Sequence, residues 1–207
     1  MSKKILTLLL SGVMMLSLAA CGSKEAAPSA PAASAPAASA PAETTGLTEA
    51  FAESPILVTS GGQSADYQMI ATVMGKVGMD YEVSNLATSA DLGDAKTLII
   101  VVGGSSKGLG AAGIDADGEL ARLEELMAGA KDAGLSIIAM HTGGEARRGD
   151  LSDKFITPVF EKADYAIVVS AGDEDGLMSG ICAGAGIPMD VIGSISDVTT
   201  VLPAAFK

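Results

Sequence analysis

The sequence predicts an α/β domain with a mainly parallel sheet covered by helices on both faces. Three observations carry that prediction. Short apolar runs rich in β-branched residues alternate with segments of helical periodicity from Ile56 to the C-terminus. One run, Thr97-Leu98-Ile99-Ile100-Val101-Val102, is apolar without alternation, as a strand buried on both faces must be. Once the atypical N-terminal region is set aside, about 160 residues remain, the length of one domain.

The elements follow in order. Ile56-Leu57-Val58-Thr59 reads as the first strand. Ser64 is expected to cap a helix with Met69, Ile70, Val73, Met74 and Val77 on its inner face, and Gly78 ends it. Tyr81 to Leu86 is a second, more exposed strand, and Thr97 to Val102 is the third. A helix from about Asp117 to Ala133 turns Leu120, Leu123, Leu126, Met127 and Ala130 inward. Leu135 to Met140 is the fourth strand. Ser152 to Lys162 is helical, with Pro158 expected to kink or restart it. Tyr165 to Val169 is the fifth strand, and a small-residue helix follows near Gly176 to Ala183. A short extended piece near Met189 to Ile192 and a last helix from Val198 to Phe206 complete the chain. This alternation gives a three-layer α/β/α sandwich of flavodoxin-like type, with five strands in the order 2-1-3-4-5. The length allows one such lobe, which argues against a bilobed solute receptor.

The N-terminus has a different character. Lys3 and Lys4 precede an apolar stretch from Ile5 to Ala20, broken only by Thr7, Ser11, Gly12 and Ser17, and Leu18-Ala19-Ala20-Cys21-Gly22 follows. These are the marks of a secretory signal over residues 1–20. The stretch falls short of the roughly 20 apolar residues of a membrane span. Leu-Ala-Ala-Cys resembles the bacterial lipobox. The resemblance implies lipidation of Cys21, cleavage before it and acylation of the new amino group. The alternative is an uncleaved anchor with a chance cysteine. Two acyl chains or more suffice for stable attachment. Residues 21–46, with prolines at 28, 31, 36 and 41 in a loose Ser-Ala-Pro-Ala-Ala repeat, read as a semi-extended tether. The α/β domain, residues 47–207, is then expected on the extracytoplasmic face of the cell membrane.

Charge and cysteine content narrow the partners. The chain has 13 basic residues, two of them in the leader, against 25 acidic ones. That balance disfavours nucleic acid and anionic lipid, which recruit positive surface. With no Trp and few aromatic residues, carbohydrate binding also loses support. After Cys21 is committed to lipid, Cys182 is the only thiol, so no internal disulfide forms. Its setting, Ile181-Cys182-Ala183, is that of a buried spectator.

In parallel sheets ligands gather at the carboxyl ends of strands, and here those ends carry the unusual sequences. Strand one leads into Ser60-Gly61-Gly62-Gln63-Ser64. Strand three leads into Gly103-Gly104-Ser105-Ser106-Lys107-Gly108-Leu109-Gly110-Ala111-Ala112-Gly113-Ile114-Asp115. Strand four leads into His141-Thr142-Gly143-Gly144-Glu145-Ala146-Arg147-Arg148-Gly149-Asp150, and strand five into Ser170-Ala171-Gly172-Asp173-Glu174-Asp175-Gly176. The runs after strands three and four resemble a bacterial domain-of-unknown-function family numbered 6305. The similarity extends over the globular part from about Ile56. The resemblance implies an exported single domain without an established activity, and so brings no catalytic residues with it.

Each motif has a competing structural explanation. Gly108-Leu109-Gly110-Ala111-Ala112-Gly113 matches G-x-G-x-x-G but lies five residues beyond its strand, and the acids at the right distance, Glu124 and Glu125, fall in mid-helix. A dinucleotide site is therefore rejected, and no cofactor is implied. A P-loop fails because Gly108 follows Lys107 where Ser or Thr belongs. What remains is either an anion cradle of glycine amides with Ser105, Ser106 and Lys107 as extra donors, or a packed Ω-loop. Two of the three arginines, Arg147 and Arg148, share a loop with the single histidine. They either grip a carboxylate or phosphate, or close the loop through Glu145, Asp150 or Asp153. His141 is either a satisfied structural histidine or a functional one. Zinc lacks a second imidazole or thiol. Asp173, Glu174 and Asp175 together are more simply a solvated loop than a cation site.

The leading expectation is a binding module for a small anionic solute or a transporter partner. Gln63, Ser64, Ser105, Ser106, Lys107, His141, Glu145, Arg147 and Arg148 form its candidate site. The second is a hydrolase or transferase with Ser64 or Ser106 as nucleophile, His141 as base, and Glu145 or Asp173 as orienter. Against it stands the lack of a G-x-S-x-G elbow. The third is a structural component of a membrane complex.

Overall fold

A computed structural model describes residues 44–207 of the chain; Cys21, the leader and most of the tether lie outside the described residues. Six parallel strands form one sheet in the order β2-β1-β3-β4-β5-β6. They are β1 (Ile56–Gly61), β2 (Tyr81–Val83), β3 (Thr97–Val102), β4 (Ser136–His141), β5 (Tyr165–Val169) and β6 (Met189–Ile192). The expected order of the first five strands holds, and the fold is the expected open, parallel α/β sandwich. The sixth strand corrects the expected five. Met189–Ile192 pairs with β5 along its whole length, from Ala166↔Met189 to Val169↔Ile192. Only Met189 and Ile192 of that strand are buried, so its apolar signal is too thin for sequence alone to rank it as a full strand.

Strand alternation sorts the core into two layers. Leu98, Ile100 and Val102 of β3, with Ile137 and Ala139 of β4, pack on one face. That face is covered by α2 (Ser106–Ala112), α3 (Ala116–Asp132), α4 (Asp150–Phe160) and α5 (Leu177–Ala185). Ile99 and Val101, with Ile138 and Met140, pack on the other, beneath α1 (Asp66–Lys76) and α6 (Val198–Val201). The six core residues of β3 are buried on both sides, as their unbroken apolar run requires.

Several local expectations are corrected. Ser64 is not the N-cap of α1, which is Ala65, although the Ser64 hydroxyl accepts the amide of Asp66, the first residue of the helix, at 3.4 Å. Met69 and Val77 are exposed, and only Ile70 and Met74 of the proposed inner face are fully buried, with Val73 packed beside them. The second strand stops at Val83. Pro158 sits inside α4 without ending it, since the helix runs from Asp150 to Phe160. The last helix is a four-residue α6 followed by a 3-10 turn at Pro203–Ala205. Among the described residues no helix is long and apolar enough to cross a membrane.

Candidate functional site

The carboxyl edge of the sheet begins where β1 and β3 leave it on either side of the topological switch. In doubly wound sheets this crevice commonly receives ligand, but here the two loops pair with each other. Ser64 N–H donates to the Gly103 carbonyl at 3.1 Å and Ser105 N–H to the Gly62 carbonyl at 2.9 Å. Gln63 bridges Gly104 in antiparallel fashion. The second half of the glycine-rich run is the helix α2, which packs onto this bridge so closely that a Cβ at Gly108 would overlap the Gln63 carbonyl.

The expected anion cradle is therefore largely committed to internal bonds. Gly103 N–H donates to Gly61 O at 2.8 Å. Gly104 N–H donates to the Ser152 hydroxyl at 2.8 Å, and Gly108 N–H to the Ser105 hydroxyl at 3.0 Å. Ser105 is thus the N-cap of α2. Ser106 and Lys107 are exposed on the first turn of that helix.

The basic loop after β4 is similarly occupied. Arg148 donates to Asp153 Oδ1 at 2.9 Å, to both carboxylate oxygens of Asp175 at 2.8 Å, and to the Gly172 carbonyl. These carboxylate bonds raise its pKa above the ordinary arginine value, and the Arg148 bond in turn lowers that of Asp175. Arg147 Nε lies 3.3 Å from Asp66 Oδ2, which also accepts from the Ser64 hydroxyl at 3.0 Å. Ser64 is fully buried, and Glu145 is exposed.

His141 is fully buried and packed against Gly172. Its Nδ1 and Nε2 lie 3.0 Å and 3.3 Å from the carbonyl oxygens of Val102 and Gly144. A neutral ring donates to one of these, and neither nitrogen faces a serine. Burial pulls its pKa below the ordinary histidine value, against the two carbonyls that favour the charged ring. The Ser–His arrangement of the hydrolase expectation is therefore not formed. Cys182 is buried and its thiol is pushed up to about 12 by burial, reinforced by Asp173, as suits an inert residue. Asp173 accepts the Met178 and Ser179 amides at the start of α5. No metal-holding group of His, Cys, Asp or Glu occurs among the described residues.

A hollow of about 420 Å³ lies beside the closed switch point, lined by Gln63, Ser64, Tyr67, Gln68, Asn85 and the small residues of α2 among others. None of the lining residues carries a charge at neutral pH. A smaller one of about 300 Å³ lies at the β4–β5 end, where Glu145, Asp153, Glu174 and Asp175 surround Arg148. The candidate residues thus divide. Gln63 and Ser64 line the first hollow, and Glu145 and Arg148 line the second. Lys107, His141 and Arg147 line neither.

Beneath the uncharged hollow runs a polar network that the sequence did not announce. Glu119, fully buried, receives Arg122 through Nε at 2.8 Å and Nη2 at 2.8 Å. Arg122 also donates to the Ala87 and Ser60 carbonyls, at 2.7 Å and 2.6 Å. Glu119 Oε1 further accepts the Gly62 amide at 2.8 Å and the Gln63 side-chain amide at 3.1 Å. Gln63 completes the chain by donating to the Asn85 carbonyl and accepting from the Asn85 side-chain amide at 3.1 Å. Its φ of 61° is unusual for a residue with a side chain, and such a conformation persists where surrounding bonds over-determine it. The signal that could have found this network is positional. Glu119 and Arg122 fall in the same helical register as buried Leu123, Leu126, Met127 and Ala130, so two charges interrupt an inward stripe.

Among solved structures, the chain is similar to a protein from Thermoplasma acidophilum assigned as a GMP synthase component, at 18% identity and TM-score 0.33. That match covers 55% of this chain and 47% of the other, so the chain spans about half of that protein. TesA matches at 14% identity and TM-score 0.30, covering 65% and 77% of the two chains. A GDSL-like lipase from Bacteroides thetaiotaomicron matches at 9% identity and TM-score 0.30, covering 65% of each. Likenesses this distant carry no argument about chemistry. A comparison with curated proteins finds no match. A family model described as a domain of unknown function (DUF6305) matches residues 53–206, and the chain belongs to that family.

Proposed function

We propose that this domain is a binding module, held outside the cytoplasmic membrane by lipid on Cys21, that takes a small uncharged or weakly polar solute. The solute sits in the hollow between the start of α1, the segment after β2 and α2. The carrying observation is the uncharged lining of that hollow above a fully bonded polar network. Ligand pockets combine apolar wall with a few fixed polar groups. Here Ala65, Leu86, Ala111 and Ala112 are wall, and Gln63, Tyr67, Gln68 and Asn85 supply the polar groups. A small anion is the weaker choice of ligand, because Arg147 and Arg148 already hold carboxylates and most of the glycine-loop amides hold partners. A membrane transporter would be the acceptor of such a solute.

A thermal-shift panel of neutral polar compounds, amines, carboxylates and phosphates on the full chain tests this reading. Ala111 is exposed on α2, so Ala111→Phe obstructs the hollow without repacking the core. Stabilisation by a neutral or amine compound, lost in Ala111→Phe, is the expected result. Stabilisation confined to anions and unaffected by Ala111→Phe contradicts it.

A further inference from the structure

We infer that Glu119, which lies beneath the hollow and is not one of its lining residues, is the positioning residue that sets the hollow's shape, by holding Gln63 in a left-handed backbone conformation. Its functional meaning rests on the hollow being the ligand site; what it adds is the group that fixes the form of that site. A residue with a side chain rarely adopts a φ such as the 61° of Gln63, because its Cβ then crowds the following carbonyl. On the bridge to Gly104, the Ser64 and Ser105 amides donate to the Gly103 and Gly62 carbonyls. Those bonds tie down the neighbours of Gln63. The side chain of Gln63 is held from below, where its amide donates to Glu119 Oε1 at 3.1 Å. The preceding Gly62 N–H donates to the same oxygen at 2.8 Å. One carboxylate oxygen thus grips the main chain just before Gln63 and the Gln63 side chain together, through bonds stronger than those between neutral groups.

All three walls of the hollow take their position from this point. α1 begins just beyond it, at Asp66. The segment after β2 is joined to Gln63 through the Asn85 main-chain carbonyl, which accepts from Gln63, and the Asn85 side-chain amide, which donates to it. α2 rests on the Gln63 carbonyl so closely that Gly108 has no room for a Cβ. Turning the Gln63 backbone out of the left-handed region would move that carbonyl and release α2 from it. Glu119 is itself fixed, since Arg122 donates to both of its oxygens and to the carbonyls of Ser60, in β1, and Ala87, beyond Asn85. A buried ion pair adds little stability over apolar side chains of similar volume. Here its carboxylate is shared with the loop, where a fully bonded network specifies one backbone conformation. Glu119 therefore acts through Gln63 and is assigned no contact with a ligand.

The test is NMR of the full chain in neutral detergent. It reads the scalar couplings that report the sign of φ at Gln63, the amide signals of Gly108 and Ala111, and the exchange rate of the Ser105 amide. Glu119→Gln is expected to turn Gln63 to negative φ and to move the Gly108 and Ala111 signals. Ser105 exchange should quicken about tenfold, the loss of one hydrogen bond to a charged group. Glu119→Met together with Arg122→Met leaves no buried charge, and carries the same expectation should Glu119→Gln fail to fold. Gln63→Gly supplies the decisive background, because glycine adopts positive φ without cost. There the Glu119 changes should move the Gly108 and Ala111 signals much less. A residue that merely stabilises the domain would act equally in both backgrounds. Equal shifts with and without Gln63→Gly, or Gln63 couplings that stay unchanged when Glu119 is replaced, overturn the inference. These signals are read without a ligand, so they hold or fail independently of whether a compound occupies the hollow, which the Ala111→Phe comparison decides separately.

Discussion

The two ends of the sheet's carboxyl edge handle an arginine in opposite ways. At the β1–β2 end Arg122 is buried with Glu119, and each of its three side-chain nitrogens donates to a carboxylate or carbonyl. At the β4–β5 end Arg148 sits near the surface between Asp153 and Asp175, both partly exposed. The first arrangement leaves an uncharged hollow above it; the second leaves an acidic one. A cation's prominence in sequence therefore says little about its availability. Paired arginines in a loop are conspicuous, yet Arg148 is fully engaged. The unobtrusive arginine lies beneath the larger of the two hollows.

That contrast makes quantitative claims. Glu119→Ala would strand a buried guanidinium, which costs about 3–5 kcal/mol. Urea unfolding should register that loss, and a loss below about 1 kcal/mol would mean that water reaches the network. Arg148→Met should cost less, about 1–2 kcal/mol, because its carboxylate partners remain solvated. Salt should sharpen the distinction. At about 0.5 M the Arg148 effect shrinks through screening, while the Glu119 effect stays nearly constant. Thr59, fully buried in β1, has a hydroxyl without a partner among the described residues. Thr59→Val keeps the shape and removes that polar atom, so it should stabilise by about 1 kcal/mol. Arg147→Ala, at a side chain 38% exposed, should cost only about 0.5 kcal/mol.

His141 supplies the smallest effect and one with a definite sign. Its folded-state pKa lies below the ordinary value of 6.5, chiefly because it is buried. Above that value both states carry a neutral ring, and pH has no influence through this group. As pH falls below 6.5 the unfolded chain takes up a proton that the folded one resists. Stability therefore drops until the folded pKa is reached, and then levels. Unfolding curves at successive pH values should show this slope, and His141→Gln should flatten it.

Much of the fold is legible in the sequence because burial on both faces leaves an unmistakable mark. Thr97–Val102 and Tyr165–Val169 are read to the residue. What escapes is of two kinds. Short edge elements such as β6 have too few buried positions to register. Hydrogen-bond commitment is invisible in one dimension. The glycines after β3 look like open amides, but the end of β1, the Ser105 hydroxyl and Ser152 on α4 take them up. Gln63 and Ser64 are readable as candidates because they follow the first strand. Asn85 is not, since it lies beyond a three-residue strand with no motif around it. Its place beside the hollow emerges only when the Gln63 amide is traced to its partners.

The most direct measurement is a crystal structure of the full chain bound to the compound that stabilises it most in the thermal-shift panel. The predicted result is density between the start of α1 and α2, against Gln63 and Asn85. Density seated instead on Lys107 and Arg147, with the Asp66 ion pair opened, would contradict it.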